Sequence, residues 1–354
     1  MTIPTEPIGS VPRPAWLMAA VTTHQDGKID DSALAEAYER AVKETIEAFE
    51  ATDSPVITDG EQSKPSFATY PIAGLETLAP DGAVIPFADG HTRQLPRLTA
   101  GPFRYTCYAG SYTEAARRHA KRPVKQAVIA PSALSLLYPA DGIEGYPREA
   151  FIDDLVVECV KDIRSAFEAG AASVQIDFTE GRLSCKLDPS RALLKDFVAL
   201  NNRVLSHFSD AERGRIGVHT CPGGDQDSTH SADVDYAELL PDLFEFRTGS
   251  FFVQMASEAD RPRVLAIIKE VRKPDQRVFV GVIDPIDPAV ESAETVCDRI
   301  LEAAEFIPLS HLGTTDDCGF SPFGDDVSTA REIAFAKIRA RIEGTALAAE
   351  RLGP

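Results

Sequence analysis

The sequence lacks an uninterrupted apolar stretch of about eighteen residues or more, the length that a membrane-spanning helix requires. It is also poor in basic residues, since 36 Lys and Arg stand against 55 Asp and Glu, for a formal net charge of −19. A negative surface excludes non-specific binding to nucleic acid or to an anionic membrane, because both of these partners are polyanions. Neither a nucleic acid nor a membrane is therefore expected as a partner.

Cysteine is sparse, and its spacing lacks the density of a disulfide framework. The six cysteines are scattered, at positions 107, 159, 185, 221, 297 and 318. Residues 1–7 contain neither a basic segment nor an apolar segment, so no signal peptide is expected. Both features favour the cytoplasm, where thiols stay reduced and remain free to bind a metal.

Strand-like and helical patterns alternate along most of the chain, without a low-complexity linker. Helical patterns cover residues 33–51, 153–169, 261–271, 293–306 and 329–352. The strand-like segments are 8–10, 56–58, 103–106, 127–130, 173–176, 216–219, 251–254, 278–282 and 312–315. This alternation predicts an α/β fold, a (β/α)₈ barrel, with a doubly wound sheet as the alternative.

The barrel is predicted to be a single domain over residues 1–354. Nine candidate segments compete for eight strand positions, so one is surplus, and we expect Ile8-Gly9-Ser10 to lead into the barrel. The segment from about residue 65 to residue 99 is rich in Pro and Gly. It is predicted to be an insertion or a hairpin rather than a domain.

The most informative pattern combines His219-Thr220-Cys221 with a distant Cys318. Residues i and i+2 of a strand point to the same face, so His219 and Cys221 are expected to project together. One imidazole and two thiolates suit a tetrahedral Zn²⁺ ion, and an exchangeable fourth position makes such a site catalytic. The pattern therefore predicts catalytic zinc, and the alternative is two unrelated buried cysteines near a core histidine.

Polar residues also follow the other predicted strands. The ends of barrel strands form the active site in this fold, and the polar residues at these ends are Asp59, Glu61, Asp177, Gln254, Asp284 and Asp317. Carboxylates after strands also cap the following helix, and this alternative stays open for Asp59, Asp284 and Asp317. The convergence of these residues with the zinc motif favours one active site at one rim.

Five motifs, in this order, resemble the cobalamin-independent methionine synthases, specifically their catalytic C-terminal half and the shorter single-barrel relatives. They are Ile8-Gly9-Ser10-Val11-Pro12-Arg13, Asp59-Gly60-Glu61, Gln175-Ile176-Asp177, His219-Thr220-Cys221 and Asp317-Cys318-Gly319, and together they span nearly the whole chain. The resemblance implies a (β/α)₈ barrel of the methionine synthase and uroporphyrinogen decarboxylase-like type.

The resemblance also implies roles for individual residues. Catalytic zinc is expected on His219, Cys221 and Cys318. Three further residues, Ser10, Glu61 and Asp177, are expected where the family holds the amino-acid part of its thiol substrate. Glu61 and Asp177 are thereby the candidate catalytic residues besides the zinc ligands.

The chain departs from the family at one ligand position, where Gln254 stands in place of a glutamate. A neutral amide is a weaker ligand and leaves the site about one unit less negative, so Gln254 is expected to be at most a weak fourth ligand. Glu258 can replace it only if the loop folds back. The less negative site makes a bound thiolate less reactive, which favours an activated electrophile, such as a strained epoxide or a methyl group on a cationic carrier, over methyltetrahydrofolate. Weak or no activity with methyltetrahydrofolate and homocysteine is therefore expected.

The implied reaction is attack by a zinc-bound thiolate on an electrophilic carbon, which forms a thioether. Methyl transfer to homocysteine or a related thiol is the first interpretation, with a folate, a methylcorrinoid or another donor as the carrier. The expected partners are therefore a small thiol and an alkyl donor, with a methyl-carrier protein or a second copy of the chain as further candidates.

Two other functions remain open. The chain also resembles the epoxyalkane:coenzyme M transferases, in which the thiolate opens an epoxide; their sulfonate thiol requires a cation, for which Arg13, Lys64 and Arg104 are candidates. A uroporphyrinogen decarboxylase-like enzyme would need no metal and would leave the histidine and the two cysteines without a role. Two histidines, His230 and His311, are predicted not to bind metal, because neither lies at a strand end in register with His219.

Overall fold

The computed structural model describes residues 2–353. Its strands are β1 (Leu78–Ala79), β2 (Val84–Pro86), β3 (Thr92–Gln94), β4 (Arg97–Leu98), β5 (Lys125–Ile129), β6 (Ser173–Asp177), β7 (Ile216–Thr220), β8 (Gly224–Asp225), β9 (Ser228–Thr229), β10 (Ser250–Val253), β11 (Arg277–Ile283) and β12 (Leu312–Asp316).

Helices alternate with the longer strands. They are α1 (Ala15–Gln25), α2 (Asp31–Glu50), α3 (Ala109–Arg117), α4 (Pro131–Ser135), α5 (Arg148–Glu168), α6 (Glu180–Leu187), α7 (Ala192–Leu205), α8 (Asp210–Arg213), α9 (Tyr236–Leu243), α10 (Arg261–Val271), α11 (Ala293–Ala304) and α12 (Arg331–Leu352), with a 3₁₀ turn at Tyr70–Ile72. Within residues 2–353, none of the helices has the length and apolar character that crossing a bilayer requires.

Six parallel strands form most of the barrel, in the order β12-β11-β10-β7-β6-β5. Two irregular segments complete it. Thr5 forms a parallel bridge to Thr314 of β12, and Ile57 forms one to Val124, next to β5. The two segments are joined to each other where the Thr58 hydroxyl donates to the Gly9 carbonyl at 2.8 Å. The predicted (β/α)₈ barrel is therefore confirmed, and the segment at Ile8-Gly9-Ser10 lies in its wall.

Apolar periodicity explains why the helices cover the outside of this barrel. In α2, Asp30 caps the first turn by accepting from the backbone of Ala33 at 2.9 Å. Its buried residues recur three and four positions apart, which gives one apolar stripe toward the strands. The strands themselves are buried along almost their whole length, because one face meets the helices and the other fills the barrel.

The surplus strand of the sequence prediction is the segment 103–106, which forms no strand. Its backbone donors are taken by other groups: the Phe103 N–H donates to the Tyr146 hydroxyl at 3.0 Å, and the Tyr105 N–H donates to the Glu158 carboxylate at 3.1 Å. Phe103 is fully buried against Phe151. The segment therefore has the apolar composition of a strand because it packs beneath helices, not because it joins the sheet.

Residues 65–99 contain the short strands β1 to β4, in which β1 pairs with β4 and β2 with β3, both antiparallel. The inner hairpin, β2–β3, is tied to two loops at the rim of the barrel. The Arg93 guanidinium contacts Asp225, which follows β7, at 3.0 Å, and Asp325, which follows β12, at 2.9 Å. The organisation of the chain as one domain with an insertion stays a prediction.

A small apolar layer inside the barrel consists of Ile8, Phe252 and Phe279. The rings of Phe252 and Phe279 stack with their centroids 4.5 Å apart and an interplanar angle of 16°. Gly313 on the next strand leaves the space that the Phe279 ring occupies, since a Cβ atom there would overlap the ring. Phe252 lies in register with His219 of β7, so this layer borders the polar residues at the strand ends.

We expect Phe279→Ala to lower the free energy of unfolding by about 3–5 kcal/mol, because it removes a buried ring and leaves a cavity. Denaturant unfolding measures the change. The control is Val84→Ala, since Val84 is 56% exposed and its truncation should change stability by about 0.5 kcal/mol or less. If Phe279→Ala lowered the free energy of unfolding by less than about 1 kcal/mol, neighbouring side chains would have filled the cavity. The apolar layer would then contribute little to the stability of the barrel.

Candidate metal centre and active site

Parallel register brings functional side chains level with each other at one end of the barrel. Asp177 of β6 pairs with His219 of β7, and His219 pairs with Phe252 of β10. Paired residues of neighbouring strands point to the same face of the sheet. Asp177 and His219 therefore both face the barrel interior, level with Phe252 of the apolar layer.

His219, Cys221 and Cys318 form a compact group of donors. One ligand atom from each lies within 4.8 Å of the other two, and all three side chains are buried. The two sulfur atoms are 3.1 Å apart, too far for a disulfide of about 2.05 Å. The sequence-predicted donors are thus brought together from β7 and from the end of β12.

This group fits a metal ion on its own chemistry. Both ring nitrogens of His219 are buried and have no hydrogen-bond partner among the described residues. A buried polar atom without a partner is costly, and nearly all such atoms in folded proteins are paired. One imidazole and two thiolates are also the donors of a tetrahedral soft-metal site. A metal ion would satisfy all three side chains at once.

The surroundings of Cys318 disfavour its thiolate form. The contact from Cys221, together with burial, raises the pKa of the Cys318 thiol well above its ordinary value, whereas His219 acts in the opposite direction. Two thiolates this close repel each other in a site of low dielectric constant. A cation beside Cys318 would therefore favour its thiolate form.

Gln254 lies beside Cys221 at the end of β10, where its backbone N–H donates to the Thr220 carbonyl at 3.3 Å. Its side-chain nitrogen donates to the Ser257 hydroxyl at 2.6 Å, and its side-chain oxygen is buried without a partner within residues 2–353. Glu258 is not available as a replacement, because it forms an ion pair with the buried Arg182. The loop does not fold back to bring Glu258 to the cysteines.

Asp317 anchors the loop that follows Gln254. Its carboxylate accepts hydrogen bonds from the backbone of residues 255, 256 and 257, each at 2.8 Å, and from the Ser257 hydroxyl at 2.7 Å. Gly281 leaves room for this carboxylate, since a Cβ atom there would overlap it. Asp317 therefore caps no helix; it ties the strand end that carries Gln254 to the strand end that carries Cys318.

Ser10 lies against the same strand end. Its hydroxyl accepts from the backbone N–H of Ser321 at 3.3 Å, and its carbonyl accepts from Phe320 at 3.0 Å. Gly319 makes this approach possible, because a Cβ atom there would overlap the Ser10 hydroxyl. The glycine of Asp317-Cys318-Gly319 thus brings Ser10 next to Cys318.

Glu61 is buried and paired with Lys64 at 3.0 Å. Lys64 also donates to the Ala127 carbonyl at 2.9 Å. Burial lowers the pKa of Lys64, but Glu61 and Asp59 outweigh it, so the net shift is upward and the ammonium stays charged. Arg13 lies behind this pair and donates to the Glu61 carbonyl at 2.7 Å, which fixes the loop rather than the carboxylate.

Asp177 is a buried carboxyl group with few hydrogen bonds or opposite charges to offset the cost of its burial. One oxygen accepts from the Gln175 amide at 2.7 Å. Burial raises the pKa of Asp177 to about 6; His219 and Lys64 lower it and Glu61 raises it. A cation brought by a substrate would favour the ionised form.

The two remaining polar strand ends have local roles. One oxygen of Asp59 accepts from the Glu61 N–H at 3.1 Å and the other is buried without a partner in the described chain, and burial raises the pKa of Asp59. Asp284 accepts from the backbone of Ile286 at 3.0 Å. Neither residue belongs to the group of potential metal donors among residues 2–353. Both hold turns at the rim.

The two other histidines of interest lie apart from the donor group. His230 lines the cavity and packs over Gly223, its Nδ1 atom lies 2.6 Å from the Ser231 hydroxyl, and burial lowers its pKa to about 4. His311 precedes β12, at the opposite end of that strand from Cys318, and contacts Ser310 at 2.9 Å. Neither joins the metal-binding group.

A cavity of about 700 Å³ opens above these strand ends. Its floor includes Ser10, Glu61, Asp177, His219 and Cys318, and the β2–β3 hairpin contributes to its outer wall. This volume lies in the range of ligand-binding pockets and exceeds what a small amino-acid thiol fills. The predicted site residues other than Cys221 and Gln254 thus share one cavity, and those two lie behind it.

Glu180 is a cavity residue that the sequence patterns did not identify. It begins α6, is 5% exposed, and one of its oxygens has no partner among the described residues. Its position three residues after Asp177, in the first turn of a helix, is typical of a helix-terminal carboxylate. In the sequence, the only feature that could have identified Glu180 as a cavity residue is its position shortly after a barrel strand.

The fold and this site define a barrel enzyme with a His, Cys, Cys group at the carboxyl ends of its strands, whose donors suit a metal ion. Residues 3–332 match the family described as "Cobalamin-independent synthase, Catalytic domain". The chain belongs to this family.

Curated relatives and solved structures agree in length with this chain. A protein named methionine synthase from Saccharolobus solfataricus is 22% identical over 350 residues, which cover 99% of this chain and 96% of the relative. A B12-independent methionine synthase from Shewanella sp. W3-18-1, solved with selenomethionine, has a TM-score of 0.78 at 18% identity and 99% coverage of both chains. A putative enzyme of this type from Listeria monocytogenes has a TM-score of 0.72 at 24% identity and 98% coverage of both. These structures share the fold.

We expect the purified protein to contain about one metal ion per chain, and Cys221→Ser or Cys318→Ser to lose it, because each removes one of three donors. Elemental analysis measures the content. The matched controls are Cys107→Ser and His311→Gln, which change the same residue types outside the donor group. Full metal occupancy in a protein that carries both serine substitutions would show that the ion binds elsewhere.

Proposed function

We propose that this protein is a zinc-dependent methyltransferase that acts on the sulfur of homocysteine or a related amino-acid thiol. The observation that carries the proposal is the shared cavity, in which a soft-metal donor group faces buried carboxylates. Membership of the cobalamin-independent synthase family and the methionine synthase name of the curated relatives support the same reaction.

Zinc is the metal that the donors favour. His219, Cys221 and Cys318 offer one nitrogen and two sulfurs, a set that soft thiolate chemistry directs toward zinc in a reducing compartment. When bound, zinc holds the thiol substrate as a thiolate at neutral pH. The free oxygen of Gln254 supports a weak fourth contact from the protein, which a substrate sulfur can displace.

The charges around the cavity favour an ammonium group on the thiol. Asp177 is buried with a pKa raised to about 6, and a neighbouring ammonium would compensate its negative charge. Glu61 and the Ser10 hydroxyl lie on the same floor. An amino-acid thiol presents an ammonium to these groups while its sulfur reaches the metal, so the same residues bind and orient it.

The epoxyalkane:coenzyme M alternative is disfavoured by the same charges. A sulfonate requires a free cation, and the basic side chains that line the described cavity are Arg13, Lys64 and Arg93. Each is already engaged: Arg13 with backbone carbonyls, Lys64 with Glu61 and Arg93 with two aspartates. Arg104 is half-exposed and pairs with Asp154 at 2.7 Å, outside the cavity.

The uroporphyrinogen decarboxylase-like alternative is disfavoured on two grounds. Such an enzyme uses free basic side chains to hold carboxylates, whereas the Lys and Arg side chains that line the described cavity are already engaged. It also leaves the His219 nitrogens and the paired sulfurs without a purpose, although their burial is costly.

The proposed function is tested with Asp177→Asn in the zinc-loaded enzyme. We expect the KM for homocysteine to rise about 10- to 100-fold, because a hydrogen bond to a charged group contributes about 1.5–3 kcal/mol and 1.4 kcal/mol is tenfold. The KM for 4-mercaptobutyrate, which is homocysteine without the ammonium, should not change. Unaltered zinc content in Asp177→Asn and unaltered kinetics in the exposed Asp196→Asn are the controls.

Equal rises in KM for both thiols would show that Asp177 does not recognise the ammonium. Failure of the zinc-loaded enzyme to methylate homocysteine or any related amino-acid thiol, whichever donor is supplied, would reject the proposed function itself.

We expect Gln254→Glu to bind zinc at least about tenfold more tightly, because a carboxylate replaces a neutral ligand and adds negative charge to the site. Competition with a chelator measures the affinity. The matched control is Gln94→Glu, which adds the same charge to the exposed outer wall of the cavity. If both variants gained the same zinc affinity, the gain would come from the added negative charge on the protein as a whole. Gln254 would then not approach the metal.

A further inference from the structure

Asp177 presents only one of its two carboxylate oxygens to the cavity. Its Oδ1 atom accepts from the Gln175 side-chain nitrogen at 2.7 Å. Its Oδ2 atom accepts no hydrogen bond within residues 2–353, yet the protein does not enclose it, so Oδ2 is the oxygen that reaches the cavity. The direction in which Oδ2 points therefore depends on the group that holds Oδ1.

Gln175 acts on the cavity from one layer deeper in the barrel. It lies two positions before Asp177 on β6, so both side chains face the barrel interior. Gln175 is fully buried and, unlike Asp177, is not part of the cavity lining in the described chain. It can therefore affect a substrate only through Asp177.

Lys125 fixes the orientation of the Gln175 amide. An amide group can turn over and exchange the positions of its oxygen and its nitrogen, but Lys125 Nζ donates to Gln175 Oε1 at 2.9 Å. An ammonium group has donors and no acceptor, so only the amide oxygen can face it. The amide nitrogen must then point the other way, where it donates to the Ile8 carbonyl at 3.0 Å and to Asp177.

The surroundings of Lys125 favour this contact over an ion pair. Its ammonium group is buried over the Phe252 ring, 4.0 Å from the ring centroid. The carboxylate of Glu6 is 3.5 Å away, and its Oε2 atom has no hydrogen-bond partner among the described residues. Burial lowers the pKa of Lys125 to about 8 against the opposing effect of Glu6, so the ammonium form predominates at pH 7.

We propose that Gln175 and Lys125 are positioning residues for Asp177. Lys125 fixes the amide of Gln175, and Gln175 fixes the Asp177 carboxylate with Oδ2 toward the ammonium group of the thiol substrate. The inference rests on the proposed function and deepens it, because it assigns the preference for an amino-acid thiol to two residues that do not touch the substrate.

Fixing Asp177 in advance strengthens binding in two ways. A carboxylate that is already oriented binds an ammonium group more tightly than a mobile one, because less conformational freedom is lost on binding. The hydrogen bond from Gln175 also stabilises the ionised form of a buried carboxyl group, which burial alone disfavours. Both effects act on the ammonium and leave the contact between sulfur and metal unchanged.

Gln175→Glu tests the inference most sharply, because it replaces the amide NH₂ group with an oxygen in a side chain of the same shape. Lys125 can still bind the new side chain, but Asp177 loses its donor. Two carboxylates this close share one proton, so the total charge stays the same while less of it is available to an ammonium group. In calorimetry with the zinc-loaded protein, we expect the Kd for homocysteine to rise about 10- to 100-fold and the Kd for 4-mercaptobutyrate, which lacks the ammonium, to stay within about twofold.

Two further variants test the two contacts separately. Gln175→Met removes the donor to Asp177 without adding a charge, and should weaken homocysteine binding about tenfold. Lys125→Met leaves the amide in place but free to turn over, and should weaken homocysteine binding about 2- to 10-fold, the contribution of one neutral hydrogen bond. Neither variant should change the affinity for 4-mercaptobutyrate. The side-chain amide protons of Gln175 should also exchange with solvent faster in Lys125→Met than in the unmodified protein.

Two controls accompany these variants. Zinc content equal to that of the unmodified protein shows that a variant folds around its metal site. The matched control for the added carboxylate is Gln25→Glu, because Gln25 is exposed on the outer wall of the same cavity. This control should leave the preference for homocysteine over 4-mercaptobutyrate unchanged.

Equal losses of affinity for both thiols would show that Gln175 and Lys125 only support the barrel. Unchanged homocysteine binding in Gln175→Glu, together with weakened binding in Asp177→Asn, would show that Asp177 needs no positioning. Either result would overturn the inference and leave the proposed function intact. If the zinc-loaded unmodified protein binds no amino-acid thiol, the proposed function is rejected and this inference falls with it.

Discussion

Hydrogen bonding in parallel register brings Asp177 of β6, His219 of β7 and Phe252 of β10 to one level of the barrel. A shift of one residue between β6 and β7 would turn one of the two polar side chains out of the interior, because side chains alternate along a strand. The stacked rings of Phe252 and Phe279 lie at this same level and oppose such a shift, because close packing of the interior depends on this register. The apolar layer thus holds the polar rim in place.

The rim collects buried polar groups that the protein does not satisfy by itself. The His219 ring nitrogens, the Gln254 oxygen and one oxygen of Glu180 lack partners in the part of the chain that the structure describes. Their burial lowers stability, and the rest of the fold outweighs it through the apolar core and through fully paired groups such as Asp317. Unsatisfied groups concentrated at one cavity are ready to bind ligands, because a bound metal or substrate removes their desolvation cost.

Much of the barrel could be predicted because its signals are local. Alternating apolar periodicities identified seven of the parallel strand positions from residue 56 onward and placed α10 at Arg261–Val271. Short helices such as α4 and α6 were missed, since five to eight residues carry too little periodicity. The segment at 103–106 was wrongly predicted as a strand, because buried apolar composition looks the same beneath helices as within a sheet.

At the site, the sequence by itself determined the donor set, because the strand spacing of His219 and Cys221 and the ordered motifs are properties of the chain alone. Only the tertiary structure decided which partners these residues meet. The pairing of Glu258 with Arg182, the contacts of Arg93 with Asp225 and Asp325 and the hydrogen bond between Ser132 and Glu180 all join residues far apart in the chain. Contacts between distant residues depend on how the strands and helices pack, and a single sequence carries no local signal of that packing.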